Sequence, residues 1–337
     1  MSNIFSKIKR ETSCIYKTFR NDKHFSSSLA FIRLGEYAAG RLHLSSANAK
    51  LRTKRFDVIR RYLSCQISPV IEKYKAESAE TIGHRSDKDA PIFVMWWQGE
   101  ENAPEIVKKC LESIRLHAGT HPVIIVDQYN VNKYLDIPEY ISQKALNGQM
   151  CLAHFSDYIR ISLLNNYGGL WLDSTLFVAY DIPEEYFTMP IYTCNSVRSG
   201  MKAFVSAGRW ATFCLGSWKD TLFTRVIKES FECYWKDNNS AIDYLMFDYL
   251  IDIAYSELQP IRESIDAIPL NNQRRNDLAA AMVRGKTAEL FQTIVQPDTV
   301  LYKLSWRESY PLLTENGDKS IYQFFLKYTF EKDQTTI

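Results

Sequence analysis

The sequence predicts an α/β protein: a mixed, mainly parallel sheet flanked by helices, behind a helical N-terminal segment. Three observations carry the prediction. Two continuous apolar runs of strand length, PIFVMWW (91–97) and PVIIVD (122–127), bracket APEIVKKCLESIRLHAG, whose apolar residues recur every three or four positions. A third apolar run, GLWLD (169–173), follows a helical stretch that two glycines close. The first 80 residues carry helical spacing and no strand-like run.

In chain order, FSSSLAFIRLGEYAAGRLHL and FDVIRRYLSCQISPVIEKYKAE read as helices, with a break at Pro69. TIGHRSDKDAP (81–91) is polar and punctuated by Gly83 and Pro91, which marks a boundary. We therefore expect a basic helical segment over 1–85, an α/β domain over 86–310 and a helical tail over 311–337. Pro104 near the start and Gly119 at the end delimit the helix between the first two strands. Two apolar strands joined by such a helix form a βαβ unit, which is right-handed in nearly all cases and belongs to a mainly parallel sheet. PEYISQKALNG predicts a short helix, and LAHFSDYIRISLLNNY leads into the third strand. Beyond 180, MPIYTCNSV predicts a strand. SWKDTLFTRVIKESFECYWKD, SAIDYLMFDYLIDIAYSEL and NDLAAAMVRGKTAELFQTIV predict three long helices.

Apolar residues at 46% and charged residues at 24% give the profile of a soluble globular chain. The cysteines at 14, 65, 110, 151, 194, 214 and 233 are odd in number and lack a C-x-x-C pair. That argues against a disulfide framework or zinc site and for a reducing, cytoplasmic setting. No apolar h-region follows the basic first residues, and no window approaches about 18 apolar residues, so neither a secretory signal nor a membrane span is expected. The net charge of +2 hides an asymmetry: residues 1–75 hold 16 Lys and Arg against 5 Asp and Glu, and the remainder 25 against 34. A basic segment of this kind fits a solvated helical face, nucleic acid, or an anionic bilayer, where each Lys or Arg is worth about 1 kcal/mol.

Ligands of an open α/β sheet bind beyond the carboxyl ends of its strands. That rule selects Trp96, Trp97, Gln98 and Gly99 after the first strand, Asp127 after the second, and Asp173, Ser174 and Thr175 after the third. Aromatic faces, an amide and two carboxylates suit a nucleotide: a ring stacks the base, and acids take ribose hydroxyls or a divalent ion. Gly168 and Gly169 permit a left-handed turn and close approach of the backbone to a ligand. Asp157 and Arg160 share one helix face, while Leu152, Phe155, Ile159 and Leu163 form an apolar stripe on another. The pair is either a surface ion pair worth a few tenths of a kcal/mol or a fixed guanidinium for a diphosphate beside an acceptor for ribose hydroxyls. Asp243 and Asp248 fall on one predicted helix and either position an acceptor hydroxyl or face solvent. Asn271, Asn272, Arg274 and Arg275 in PLNNQRRND offer sugar or phosphate ligands, or form an ordinary polar turn. Trp171 is expected in the core. None of the histidines shows metal-ligand spacing, and no G-x-S-x-G, P-loop or H-E-x-x-H motif occurs.

FVMWWQGEENAPEIVKKCLESI and AHFSDYIRISLLNNYGGLWLDST resemble the opening and central motifs of the bacterial capsular polysaccharide synthesis protein family. YWKDNNSAIDYLMFDYLIDIAY resembles its later helical pattern, so the likeness covers roughly residues 90–310. That family is related to glycosyltransferase family 32 and, more distantly, to the glucosylating clostridial toxins. The resemblance implies a GT-A-like, Rossmann-like fold. It also implies transfer of a sugar from a nucleotide donor, foremost a UDP-sugar, to a growing capsular or other surface polysaccharide, with retention of configuration. Trp96 or Trp97 would then stack on the base, Asp157 hold the ribose, and Arg160 reach the donor sugar or its phosphates. Asp173 would be the first acid of a D-x-D-like motif that helps hold Mn²⁺ or Mg²⁺ on the diphosphate, where the ion acts as a Lewis acid. LYKLSW resembles the segment that closes over the diphosphate and nominates Ser305 and Trp306. The motif here reads D-S-T, with Thr175 at the second acid; this occurs often in the capsular branch, yet one carboxylate alone is a weak Mg²⁺ site. Tyr302 stands where relatives often carry His. The implied acceptor is a lipid-linked oligosaccharide on the inner membrane face, which gives residues 1–75 an anionic-membrane contact and leaves no nucleic acid expected. The alternative is a non-catalytic nucleotide-sugar or glycan-binding scaffold, which the missing second acid favours.

Overall fold

The apolar runs pair as strands in the computed structural model, which describes residues 18–75, 89–196 and 204–328. After a helical stretch over 18–25 come α1 (Ser27–Arg41), α2 (Ser45–Gln66) and α3 (Ser68–Lys75), with Pro69 in the first turn of α3. The α/β body begins with β1 (Ile92–Met95), α4 (Glu105–Leu116), β2 (Val123–Val126), α5 (Glu139–Leu146), α6 (Leu152–Tyr167) and β3 (Gly169–Leu172). It continues through β4 (Leu176–Val178), α7 (Glu185–Thr188), β5 (Ile191–Thr193), β6 (Cys214–Ser217), α8 (Leu222–Asp237), α9 (Met246–Glu257) and α10 (Gln259–Asp266). The last elements are α11 (Asp277–Val283), α12 (Phe291–Ile294), β7 (Leu301–Lys303) and α13 (Ile321–Lys327).

The main sheet runs β2-β1-β3-β6-β5. β1 is parallel to β2 and β3, while β6 is antiparallel to both β3 and β5, so one strand of the five is reversed. Alternate side chains of β1 and β3 enter two apolar cores. Phe93 and Trp171 pack toward α6, α8 and α9; Ile92, Val94, Leu170 and Leu172 pack toward α4 and α13. Burial on both faces is why these strands read as continuous apolar runs rather than alternating ones. A separate two-stranded sheet pairs β4 with β7 antiparallel, with Leu176 opposite Lys303.

The described part of the N-terminal segment is not an appendage. Leu29, Ile59, Leu63, Ile67 and Tyr74 share one core with Phe231, Trp235, Tyr249 and Leu250. Its charges also have partners in the body: Arg33 and Arg55 reach Asp243 at 2.7 and 3.4 Å, and Arg60 reaches Asp252 at 2.9 Å. Lys73 and Lys75 pair with Glu229 and Glu257, each at 2.9 Å. Part of the opposite charge bias of the two regions is therefore an intramolecular complementarity. Residues 1–17 and 76–88, with most of TIGHRSDKDAP and the boundary at 85, lie outside the described residues, as do 197–203 and 329–337.

Asp243→Ala is expected to lower the unfolding free energy by about 1–3 kcal/mol in urea denaturation, because it removes the buried carboxylate that two half-buried guanidiniums share and leaves Arg33 with Asp22 and Arg55 with Glu36. A change under about 0.5 kcal/mol, the range of ordinary surface substitutions, would mean the cluster contributes nothing.

Two predicted helices are shorter than their patterns. Asp243 precedes α9 instead of lying within it, since its carboxylate accepts the Leu245 N–H at 2.8 Å and holds the two arginines. NDLAAAMVRGKTAELFQTIV divides into α11, a 3-10 turn over Ala288–Leu290 and α12, with Gly285 following the end of α11. In the tail, Ile321 and Phe325 are fully buried in the core that contains Phe177 and Tyr302. No helix among the described residues is long and apolar enough to cross a membrane.

Candidate active site

The carboxyl ends of β1 and β3 open onto a cavity of about 940 Å³. Helix α6 enters it with Asp157 and Arg160 one turn apart, and the turn after β3 presents Asp173, Ser174 and Thr175. Arg160 is only 5% exposed. One of its terminal nitrogens lies 3.3 Å from Asp157 Oδ1 and 3.2 Å from Asp173 Oδ1, and the other donates to the Thr212 carbonyl at 2.6 Å. Its guanidinium stacks over Trp171 and Phe247, at 4.9 and 5.4 Å from the ring centres. Of the two readings of Asp157 and Arg160, the surface ion pair is thereby excluded. Arg160 Nε is buried and meets no acceptor among the described residues.

Both oxygens of Asp173 accept donors. Oδ1 also accepts the Trp171 indole N–H at 3.1 Å, and Oδ2 accepts Lys303 Nζ at 2.7 Å. The same ammonium donates to Thr175 Oγ1 at 2.8 Å. Lys303 arrives from β7 because the β4–β7 ladder sets it opposite Leu176, next to the D-S-T turn, and the Leu304 N–H donates to the Thr175 carbonyl at 2.9 Å.

These contacts separate three carboxyls that share one low-dielectric site. Burial pushes Asp157 up to about 7; Arg160 opposes the rise, and the charges of Asp173 and Asp248 add to it. Burial also pushes Asp173 up, but Lys303, Arg160 and the donated N–H groups overcome this and hold it below the ordinary carboxylate value. Asp248, from the first turn of α9, is raised to about 6 by burial against the opposing Trp210 N–H and Arg160. Burial lowers His154, 3.8 Å from Asp157, to about 4, so it is a neutral ring at pH 7. Perturbed carboxyls gathered on a cavity mark functional sites.

Folded Asp157 keeps its proton up to about pH 7, whereas the unfolded group releases it near 3.8. The native state thus binds more protons between these limits, and the contribution of Asp157 to stability falls as the pH rises across them. Asp157→Asn removes that fall. Relative to wild type, the variant is expected to gain on the order of 3 kcal/mol between pH 4 and 8, read as the difference in urea unfolding free energies. A difference that stays flat over this range would show that the folded carboxyl titrates normally.

The rim is aromatic. Trp96 meets Trp306 edge to face with ring centres 5.8 Å apart, and Trp97 meets Phe155 at 5.2 Å. Gln98, Ser305 and Trp306 also line the cavity, and Trp306 is 46% exposed. The Ser305 N–H donates to the Tyr310 hydroxyl at 3.0 Å, which fixes this segment across the opening. The cavity thus gathers Trp96, Trp97, Gln98, Asp157, Arg160, Asp173, Ser174, Thr175, Ser305 and Trp306 from four separate stretches of chain.

Other expected site residues are placed elsewhere, each held by a structural bond. Gly99 donates to the Trp96 carbonyl at 3.0 Å in the turn after β1. Asp127 Oδ1 accepts the N–H groups of Tyr129 and Asn130 at 2.8 and 3.0 Å, closing the turn after β2. Gly168 and Gly169 lie at the amino end of β3, opposite the cavity. The close approach that Gly169 allows is to the Pro91 carbonyl, not to a ligand: a Cβ there would stand 2.1 Å from that oxygen. Asp243 is tied to Arg33 and Arg55, and borders a smaller neighbouring cavity of about 380 Å³ with His154. Asn271 donates to the Thr193 carbonyl at 3.1 Å. Asn272 donates to the Tyr186 hydroxyl at 2.9 Å and accepts the Leu301 N–H at 3.0 Å. Arg275 donates to Ser196 Oγ at 2.5 Å, and Arg274 pairs with Asp277 at 3.1 Å, so the PLNNQRRND turn anchors β7.

Sequence reading overlooked Lys303, although LYKLSW was singled out for its last two residues. A Lys within a short apolar run was the available signal. It also set Asp243 and Asp248 on one helix, whereas the structure brings only Asp248 to the large cavity.

A divalent cation does not fit these residues as they stand. Asp173 is the one acid of the D-S-T turn, and both of its oxygens already face donors. Among the described residues no group of three or more His, Cys, Asp or Glu side chains is arranged to hold a metal.

A curated O-glycosyltransferase, braB of Annulohypoxylon truncatum, is 27% identical over 104 residues, covering 28% of this chain and 25% of the relative. The chain thus spans about a quarter of that relative's length. No solved structure matches the chain. The family model for capsular polysaccharide synthesis proteins matches residues 41–325, which include every side chain on the large cavity. By that match the chain belongs to the capsular polysaccharide synthesis protein family.

Proposed function

We propose that this protein is a glycosyltransferase that moves a sugar from a nucleotide donor to a growing surface glycan. One observation carries the reading: a guanidinium, three carboxyls with separated proton affinities and four indoles face one cavity large enough for a nucleotide sugar. Family membership and the glycosyltransferase relative support it. In this reading the base stacks at the Trp96–Trp306 pair, Asp157 accepts ribose hydroxyls, and Arg160 binds the diphosphate through its buried, unsatisfied Nε side. Asp248 faces the acceptor hydroxyl. Arg160 is held before substrate arrives, so its charge stabilises the leaving diphosphate without reorganisation. A UDP-sugar and retention of configuration are the donor and stereochemical course we favour, on the likeness to family 32.

The test is a melting-shift panel of UDP-, GDP-, CDP- and ADP-sugars, followed by turnover of whichever binds. A donor-dependent rise in Tm with release of nucleoside diphosphate is expected. Binding without turnover would instead identify a nucleotide-sugar-binding scaffold, and absence of both would end the reading. Trp306→Ala, at an exposed position, is expected to weaken donor binding about 5- to 100-fold with less than about 1 kcal/mol effect on stability, by loss of base stacking. Unchanged affinity would move the base elsewhere.

We further propose that the acceptor is lipid-linked and that the α1–α2 hairpin rests on an anionic bilayer. Phe31, Leu34, Leu42 and Leu44 are exposed there, and Arg20, Lys23, Lys50 and Lys54 of the same segment are exposed as well. Apolar insertion plus basic charge is the chemistry of interfacial binding. Vesicle flotation should show binding to phosphatidylglycerol-containing vesicles, lost in Phe31→Ser/Leu42→Ser; equal recovery on neutral vesicles would remove the electrostatic part.

A further inference from the structure

We infer that Lys303 takes the place of a divalent cation, so that the site binds a nucleoside diphosphate without metal; this rests on the donor reading above. The ammonium bridges the first and third residues of the D-S-T turn, at 2.7 Å from Asp173 Oδ2 and 2.8 Å from Thr175 Oγ1. That is the space a cation would occupy if two acids of a D-x-D turn converged on it. Thr175 suits this role. A hydroxyl accepts a lysine N–H without adding charge, whereas a second carboxylate would leave the turn net negative beside one ammonium. An ammonium has three N–H groups; two go to the turn, and the third remains for a phosphate oxygen in the cavity.

Lys303 is also held as a cation site must be. Its backbone N–H donates to the Arg275 carbonyl at 2.7 Å, its strand pairs with β4, and its Nζ stands 5.2 Å from the centre of the Phe213 ring. Arg275 is itself locked on Ser196. The PLNNQRRND turn, which the sequence offered as a ligand loop, therefore acts by fixing the backbone of Lys303. Lys303 and Arg160 set two cations against the Asp173 carboxylate at the D-S-T turn, and Arg284 and Arg307 line the same cavity, which also holds Asp157, Asp248 and Glu308. The two cations on the turn are thus placed to meet a diphosphate without a further divalent charge.

In the transfer step the bond between the sugar's anomeric carbon and the diphosphate oxygen breaks, and its electron pair stays on that oxygen. The acceptor hydroxyl oxygen forms the new bond to the anomeric carbon, and its proton passes to the departing phosphate. Lys303 exchanges no proton. It and Arg160 carry the charge that accumulates on the leaving group.

Calorimetric titration of UDP, GDP, CDP and ADP in EDTA and in Mn²⁺ first identifies the nucleoside diphosphate that binds. Wild type is expected to bind it within about twofold in the two buffers. Lys303→Ala should weaken it about 10- to 100-fold, as for loss of a charged hydrogen bond, while the matching nucleoside monophosphate loses less than about threefold. Lys303→Met, which keeps the aliphatic stem over Phe213, replaces the alanine variant if that fails to fold. Lys303→Ala with Thr175→Asp should bind only when Mn²⁺ is present. Wild-type binding that requires Mn²⁺, or Lys303 variants with unchanged diphosphate affinity, overturns the inference and leaves the donor reading standing. No binding of any of the four nucleotides in either buffer overturns the donor reading and this inference together.

Discussion

Arg160→Met is expected to lose about 3–5 kcal/mol of folding free energy at pH 8 and to abolish donor turnover. The methionine stem fits the slot between Trp171 and Phe247, so the loss is one of charge rather than volume. Without the guanidinium, Asp157 and Asp173 face each other across a buried site in which Lys303 still pairs with Asp173 alone, and the Thr212 carbonyl loses its donor. The penalty should shrink toward pH 5, where Asp157, already raised to about 7 in the intact site, takes up its proton. Arg160→Lys should recover only part of the effect. A single ammonium cannot reach Asp157, Asp173 and Thr212 together in the planar geometry that the guanidinium satisfies. Urea denaturation at pH 5 and 8, with turnover measured on the folded variants, decides it. A variant that stays within 1 kcal/mol of wild type and turns over donor would refute the central role of this side chain.

Gly169→Ala is expected to be worse for the fold, at about 4 kcal/mol or more, and to yield little folded protein. Two penalties combine there. The residue has φ +94, outside the range L side chains adopt comfortably, and an added Cβ would lie 2.1 Å from the Pro91 carbonyl oxygen. Relief requires the lead-in to β1 to part from β3, breaking the 2.9 Å bond from the Leu170 N–H to that same oxygen. Gly119→Ala separates the two penalties. Gly119 also has positive φ, at +61, but nothing lies within 4 Å of its would-be Cβ. That variant should lose only about 1–2 kcal/mol. Equal thermal shifts for the two variants would mean that the contact with Pro91 is unimportant.

Legibility from the sequence followed length and periodicity. β1 and β3 were readable because strands covered on both faces are apolar at every position, and the half-buried edge strand β2 is equally apolar. β4, β6 and β7 were not: β4 follows the D-S-T turn too closely to stand out as a separate run, Gly216 and Ser217 interrupt β6, and Lys303 interrupts β7. Helix α6 was readable, and with it the juxtaposition of Asp157 and Arg160, since residues three apart on a helix are neighbours whatever surrounds them. Asp127, Asn271 and Asn272 have the chemistry of ligands, but the same oxygens and amides serve turns equally well, and only the position of the cavity distinguishes the two uses.

The sequence by itself therefore determined an α/β core and the one-turn pairing of Asp157 with Arg160. It also placed Asp173 at the end of a buried strand. These follow from interactions between near neighbours in the chain, where backbone geometry alone sets the distance. Only the tertiary structure decided that the basic N-terminal helices close onto the acids of the body, and that Asp243 serves that interface while Asp248 serves the cavity. It alone brought Lys303 to Asp173 across 130 positions, through a three-residue ladder. The physical reason is that such contacts depend on strand register and on the burial of distant surfaces, and neither leaves a period in the local sequence.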